Sequence, residues 1–193
     1  MSTERLFDAD GGDTEEALMA AAYRALCEHG DADITIERIG EEFEKSTSLL
    51  YHHYDGKDDL LVSFLEYMLQ CFEDDVPFEQ GADPWRKVES LLDHVLAPSL
   101  ETERKEFTSA MVELRAQAAH DGAYRAAFTR HDRFFRDRLA AIVAEGVAEG
   151  TFRNVDPEAV AALVQTAFVG AMTRRVTTDA AEESLTAVRD ELE

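Results

Sequence analysis

The stretch Thr35-Ile-Glu-Arg-Ile-Gly-Glu-Glu-Phe-Glu-Lys-Ser-Thr-Ser-Leu-Leu-Tyr-His-His-Tyr-Asp-Gly-Lys57 decides how this chain is read. Ile36, Ile39 and Phe43 are spaced three and four apart, which places them on one face of a helix. Leu49, Leu50 and Tyr54 repeat the pattern a few residues on. Thr35 can cap the first helix by accepting a backbone N–H that has no partner inside it, and Ser46 can cap the second. Thr47, Ser48, Tyr51 and His52 then fall at or near the start of the second helix. Two short helices joined by a tight turn can present such side chains to base edges in a major groove. The same spacing also suits any small two-helix packing unit.

Charge separates this stretch from its surroundings. The chain carries 41 acidic and 19 basic residues, a formal net charge of −22, yet Lys45 to Tyr54 contains no carboxylate. From Lys45 to Lys57 two lysines stand against Asp55, a local balance of +1. A surface that approaches phosphates must be relieved of acid.

At these residues the sequence resembles the TetR (tetracycline-repressor) family of transcription regulators. The matching elements are Thr35, Ile39-Gly40, Ser46, Leu50-Tyr51-His52-His53-Tyr54, Lys57 and Leu60-Leu61. The resemblance implies that Thr35, Tyr51, His53 and Lys57 touch the phosphate backbone. It implies further that Ser46, Thr47, Ser48 and His52 face bases, and Arg38 joins the candidate set. Two departures stand out: Glu44-Lys45 occupy the turn where the family often has Gly-Val, and Gly40 replaces the usual alanine.

A chain of 193 residues can hold one large domain, or a small one joined to a medium one. Hydrophobic residues make up 45%, enough for a packed core, and four prolines with ten glycines argue against disorder. No run reaches the roughly 18 to 20 apolar residues a membrane span needs. The start Met-Ser-Thr-Glu-Arg has no apolar signal region, so a cytoplasmic location without membrane contact is expected. Cys27 and Cys71 are far apart, outside any metal spacing, and read as free thiols in a reducing compartment.

For a DNA binder the acidity is unusual. Residues 1–33 hold nine acids and two arginines, and the whole chain has four lysines against fifteen arginines. An acid-rich, lysine-poor surface suits a cytoplasm filled with salt, where at about 1 M the Debye length falls to about 3 Å. A salt-accumulating source is therefore expected. An acidic protein that binds no nucleic acid is the competing expectation, opposed by the acid-free stretch.

Around this unit the chain reads as helices throughout. A helix capped by Asp13 or Thr14 runs to about His29, with Leu18, Ala22, Ala25 and Leu26 as its stripe and Gly30 as its stop. It braces the two-helix unit into a three-helix domain. Lys57 opens a long helix to about Asp75, joining that domain without a flexible linker to the rest. Further helices are expected from Pro84 to Pro98, Thr102 to His120, Ala123 to Glu149, Asp156-Pro157 onward, and Ala180 to Glu191. Ala159 to Thr178 is twenty residues without a carboxylate, a sign of shielding from solvent. Its apolar residues cover more than one face, and the family's last two helices form a four-helix bundle across a two-fold axis. Val160, Leu163, Val164, Ala167, Gly170, Ala171, Leu185 and Val188 are therefore the candidate dimer interface.

No His-Glu-x-x-His, Cys-x-x-Cys, Gly-Lys-Ser/Thr, Gly-x-Ser-x-Gly or Gly-x-Gly-x-x-Gly motif is present, so neither an enzyme nor a metal or other cofactor is expected. His52 and His53 are adjacent and point in different directions along a helix, which disfavours shared metal ligation. Arg125, Arg130, Arg133, Arg136 and Arg138 read as a solvated face paired with acids rather than an anion site. Family members sense small molecules between their long helices, which makes Phe107, Met111, Leu114, Phe128, Phe135 and Phe168 candidates for an effector pocket. Plain core is the competing reading of each.

The expected molecule is all-α: a three-helix head over residues 1–56, with a helix-turn-helix at about 35–54, joined by a continuous helix to a larger bundle over 57–193. Its expected role is that of a homodimeric, ligand-responsive repressor on a palindromic double-stranded operator. The alternative is an acidic dimeric interaction protein, or a small-molecule-binding bundle, with a non-functional helix-turn-helix.

Overall fold

The structure is a computed structural model that describes residues 14–43, 48–75, 83–96 and 102–178. All regular structure among these residues is helical, so the all-α expectation holds. In chain order the helices are α1 (Thr14–Asp33), α2 (Ile36–Glu42), α3 (Ser48–His53), α4 (Lys57–Asp75), α5 (Pro84–Leu96), α6 (Thr102–Gln117), α7 (Gly122–Glu149) and α8 (Pro157–Thr177). The expected last helix, with Leu185 and Val188, lies outside the described residues, as do Ser46 and Thr47.

The helix ends follow local chemistry. Thr35 caps α2, its hydroxyl accepting the Arg38 N–H at 3.3 Å. Asp156 caps α8 by accepting from Glu158 N at 3.0 Å and Ala159 N at 3.4 Å, with Pro157 in the first turn. Asp121 accepts from Ala123 N at 2.7 Å where α7 begins. Regular helix in α1 breaks at Gly30, whose φ of 69° is open to glycine at no steric cost. Gly150, with φ 77°, ends α7 in the same way.

The described chain forms two compact units. The first holds α1 to α4, α6 and the start of α7 through Phe128; the second holds α5, the remainder of α7 and α8. Within the first unit α1 packs on both α2 and α6. That explains why its burial exceeds one stripe: Met19, Ala21 and Tyr23 are buried together with Leu18, Ala22, Ala25 and Leu26. Ile39 and Leu50 are fully buried in the helix-turn-helix pair, and Leu60, Leu61, Phe64 and Leu65 continue that core along α4. Each such side chain removed from water contributes roughly 1.5–3 kcal/mol.

In the second unit Lys87 on α5 donates to both carboxylate oxygens of Glu145 on α7, at 2.7 Å each. Phe152 folds back after α7, donating its N–H to the Gly146 carbonyl at 3.0 Å and meeting Trp85 edge-on at 5.9 Å. Its ring lies against the α-carbon of Gly146, so a β-carbon there would overlap it. Phe168 of α8 stacks on Phe135 of α7 at 6.1 Å, and Gln165 donates to the Asp132 carbonyl at 2.9 Å. Gly146→Ala should therefore cost about 1–3 kcal/mol through overpacking. Thermal unfolding checks this, and an unchanged melting temperature would show that the Phe152 ring can move aside freely.

Candidate nucleic-acid interface

The helix-turn-helix pair is held from behind by apolar burial and by charge. Ile36, Ile39 and Phe43 of the first helix and its flank are buried with Leu50 of the second. Gly40 is buried too, so the departure from alanine falls where the helix meets its neighbours. Arg24 of α1 clamps the end of α2, donating Nε to Glu42 Oε2 at 3.0 Å and Nη2 to the Glu42 carbonyl at 2.8 Å. A guanidinium at this end satisfies a helix-terminal carbonyl that has no partner inside the helix.

With Leu50 turned inward, α3 leaves Ser48, Tyr51, His52 and His53 exposed, Tyr51 by 56%. The two imidazole rings meet edge-to-face, 5.3 Å apart with 74° between their planes. Thr35 is exposed at the start of α2, so the structure groups Thr35, Ser48, Tyr51, His52 and His53 on α2 and α3. Tyr51 donates its hydroxyl to Glu37 Oε1 at 2.6 Å, which links the outer sides of the two helices. Arg38 folds back, with Nη1 donating to the Asp33 carbonyl.

Lys57 faces a different partner. Its ammonium donates to the Asp31 carbonyl at 2.9 Å and lies 3.8 Å from Asp31 Oδ1. Asp31 is buried at 7% exposure. Its N–H donates to Glu113 Oε2 at 2.8 Å, and its Oδ2 accepts from the Gln117 amide. Ser109 donates to the other Glu113 oxygen at 3.3 Å. The end of α1, the start of α4 and α6 thus meet in one polar knot. Tyr124 is buried in the same unit with its phenol pushed far above the ordinary value, first by burial and then by the charges of Asp58, Asp31 and Asp121.

The six aromatic and aliphatic side chains considered for an effector pocket divide between the units. Met111, Leu114 and Phe128 are buried in the first, where the Arg115 guanidinium lies 4.4 Å over the Phe128 ring. Phe135 and Phe168 stack in the second, and the Phe107 side chain lies outside the described ones. Arg125 caps the end of α6, donating to the Ala118 and Ala119 carbonyls at 2.8 and 3.0 Å. On α8, Val160, Val164, Ala167 and Ala171 are half-buried, Gly170 is exposed, and Leu163 is 70% exposed. No helix among the described residues is long and apolar enough to cross a membrane.

Sequence reading missed Glu37, Asp31, Glu113 and Gln117. Asp31 meets Glu113 and Gln117 across 82 and 86 residues, a separation at which periodicity carries no information. The one available hint was that Asp31 follows the helix-breaking Gly30.

A three-helix head whose third helix turns an acid-free set of hydroxyls and rings outward defines a helix-turn-helix, DNA-binding regulator. Residues 18–64 match the family model described as bacterial regulatory proteins of the tetR family. Residues 84–193 match the one described as the C-terminal part of BetI-type transcriptional repressors. The chain belongs to the TetR family, whose members are transcription regulators rather than enzymes. It is 39% identical to a TetR transcription regulator of Haloarcula marismortui, with a TM-score of 0.84 over 93% of this chain and 94% of that one. It is also 25% identical over 181 residues to the transcriptional repressor AcnR of Corynebacterium efficiens, covering 93% of this chain and 90% of the relative. A regulator of Saccharomonospora viridis solved in complex with choline shares the fold at 19% identity, with a TM-score of 0.79 over 92% of each chain.

Asp31→Ala removes the acceptor of the Gln117 amide and the charge 3.8 Å from the Lys57 ammonium, whose bond to the residue-31 carbonyl remains. It should destabilise the chain by about 1–3 kcal/mol. Urea unfolding measures the loss, and a change below about 0.5 kcal/mol, the usual range at uninvolved surface positions, would show that the knot is dispensable.

Proposed function

We propose that this regulator acts as a homodimeric repressor that binds a palindromic operator through α2 and α3 and releases it when a small molecule binds. The observation that carries the proposal is the outward set on α3, Ser48, Tyr51, His52 and His53, in the stretch from which carboxylates are missing. Ser46, Thr47, Ser48 and His52 are assigned to base edges, and Thr35, Tyr51 and His53 to phosphates. Arg38 and Lys57 belong to the set by position, each with a carbonyl partner when DNA is absent. Residues 1–56 serve as the reading head, and residues 57–193 as the effector-binding and dimerisation part.

A second copy is assigned to α8. Leucine at 70% exposure within twenty residues lacking any carboxylate supports a face that is covered in the dimer. Exposed Gly170 on the same helix would permit close approach of a partner helix. Two heads would then enter successive major grooves about one helical turn apart, or somewhat more. An effector acts by binding one spacing of the heads better than the other, with either Met111, Leu114 and Phe128 in the first unit or Phe135 and Phe168 in the second as its candidate contacts. A cytoplasmic location in a salt-accumulating source is supported by the composition, with four lysines in a chain of net charge −22.

Selection of bound fragments from random duplex DNA, in concentrated potassium chloride, is the direct test. An enriched palindrome is expected, and its half-site spacing reports the dimer geometry. No enrichment from folded, dimeric protein would favour an interaction protein with a non-functional helix-turn-helix. Leu163→Glu should convert the dimer to monomer in sedimentation while far-ultraviolet helicity stays unchanged. A dimer that survives this change would move the interface off α8.

A further inference from the structure

Glu37 stands two residues after the cap of α2, and its Oε1 takes the Tyr51 hydroxyl from α3 at 2.6 Å. Both residues are exposed, so this bond lies on the outer surface and not in the core. The Glu37 backbone N–H and the Thr35 hydroxyl also favour the charged carboxylate. These three donors, Tyr51 foremost, hold its pKa below the usual carboxylate range. The Tyr51 phenol is pushed up in return, first by the bond to Glu37, then by burial and by the charge of Glu37. Two hydroxyls and a backbone N–H are the kinds of group that take DNA phosphate oxygens. Here they already hold an anion.

We propose that the Glu37 carboxylate occupies the seat of a DNA backbone phosphate between Thr35 and Tyr51, so that operator binding requires its displacement. The inference rests on the assignment of α2 and α3 to DNA and adds an internal competitor to it. The carboxylate and a phosphate cannot share the seat, because both are acceptors and both are negative. Swinging Glu37 outward frees the hydroxyls but leaves its charge close to the incoming backbone. That repulsion is long-ranged in dilute salt and short-ranged in concentrated salt, where the Debye length falls to about 3 Å. The competitor therefore weakens binding most where salt is low. An acidic head can then be permissive in the salt-filled environment that the composition suggests, and restrained outside it.

The test uses the full-length dimer and the duplex fragments that the unaltered protein selects. Glu37→Ala should bind those fragments about five- to tenfold more tightly at about 0.1 M potassium chloride, and by less than about twofold at about 1 M. In a Tyr51→Phe background the gain should shrink, because the vacated seat has lost a donor. Without DNA, Glu37→Ala should lower the titration midpoint of the Tyr51 phenol towards its ordinary value. Equal affinities at low salt would overturn the inference, as would an unshifted Tyr51 midpoint. A gain undiminished by Tyr51→Phe would also overturn it, by showing repulsion through space with no shared seat. Failure of the unaltered protein to bind any duplex would instead remove the DNA assignment beneath it, a distinct result.

Discussion

The buried carboxylate of Asp31 is the constraint on which the first unit depends. It stands where α1 has just broken at Gly30, and three of its groups are bound by other helices. Its N–H goes to Glu113 of α6, its carbonyl takes Lys57 of α4, and its carboxylate takes Gln117. A buried anion is tolerated only when its acceptor sites are filled, so each partner's position is tied to the others. Hydrophobic burial alone would let α6 slide along α1, since alanines line much of that helix. The polar knot sets the register. Lys57 also begins α4 at the end of the helix-turn-helix, so the orientation of the head and the seating of α6 share one residue.

The head solves a problem that most DNA-binding domains do not face. Basic domains gain affinity by releasing counterions from phosphates, a gain that falls steeply with salt. Here Arg24, Arg38 and Lys57 all serve internal acceptors, and Tyr51 serves Glu37. What α3 turns outward is hydroxyls and imidazoles, whose hydrogen bonds and ring contacts act at short range. At a Debye length of about 3 Å these are the interactions that survive. The acid-rich remainder of the chain then exacts little long-range repulsion. On the proposed salt-accumulating source, composition and site geometry would serve one adaptation at two scales.

Much of the helical layout was legible in the sequence because helix starts and stops are local. Thr35 and Asp156 cap where a hydroxyl or carboxylate precedes an apolar run, and Gly30 and Gly150 sit where the backbone turns left-handed. The inward set of the helix-turn-helix was legible too, since Ile39 and Leu50 repeat at helical spacing. The all-round burial of α1 was not, because the covering helix α6 begins some seventy residues after α1 ends and brings a polar as well as an apolar face. Likewise the residues chosen for an effector pocket were all on apolar faces, yet spacing could not tell that Phe135 stacks on Phe168 while Leu114 belongs to another core. Periodicity says which side of a helix is dry and leaves open what dries it.

Missing carboxylates carry information that present hydrophobics do not. In a chain of 41 acids, Lys45–Tyr54 and Ala159–Thr178 have none. If such stretches were merely core, their large apolar side chains would be covered within the chain. Instead, the exposed large hydrophobics among the described residues are Tyr51, Leu163 and Phe134, and the first two lie in these stretches. An acid beside a phosphate repels it, and an acid under a partner helix must be desolvated without a counter-charge. A lack of acid therefore suits surfaces that are wet in the isolated chain and would be dry or phosphate-facing in the proposed assembly. Phe134 lies beside Arg133 in the arginine-rich part of α7, where the neighbouring charge is basic and the same reasoning does not apply. On the proposed reading the two acid-free stretches serve two different partners, nucleic acid at α3 and a second copy at α8, on the same physical ground.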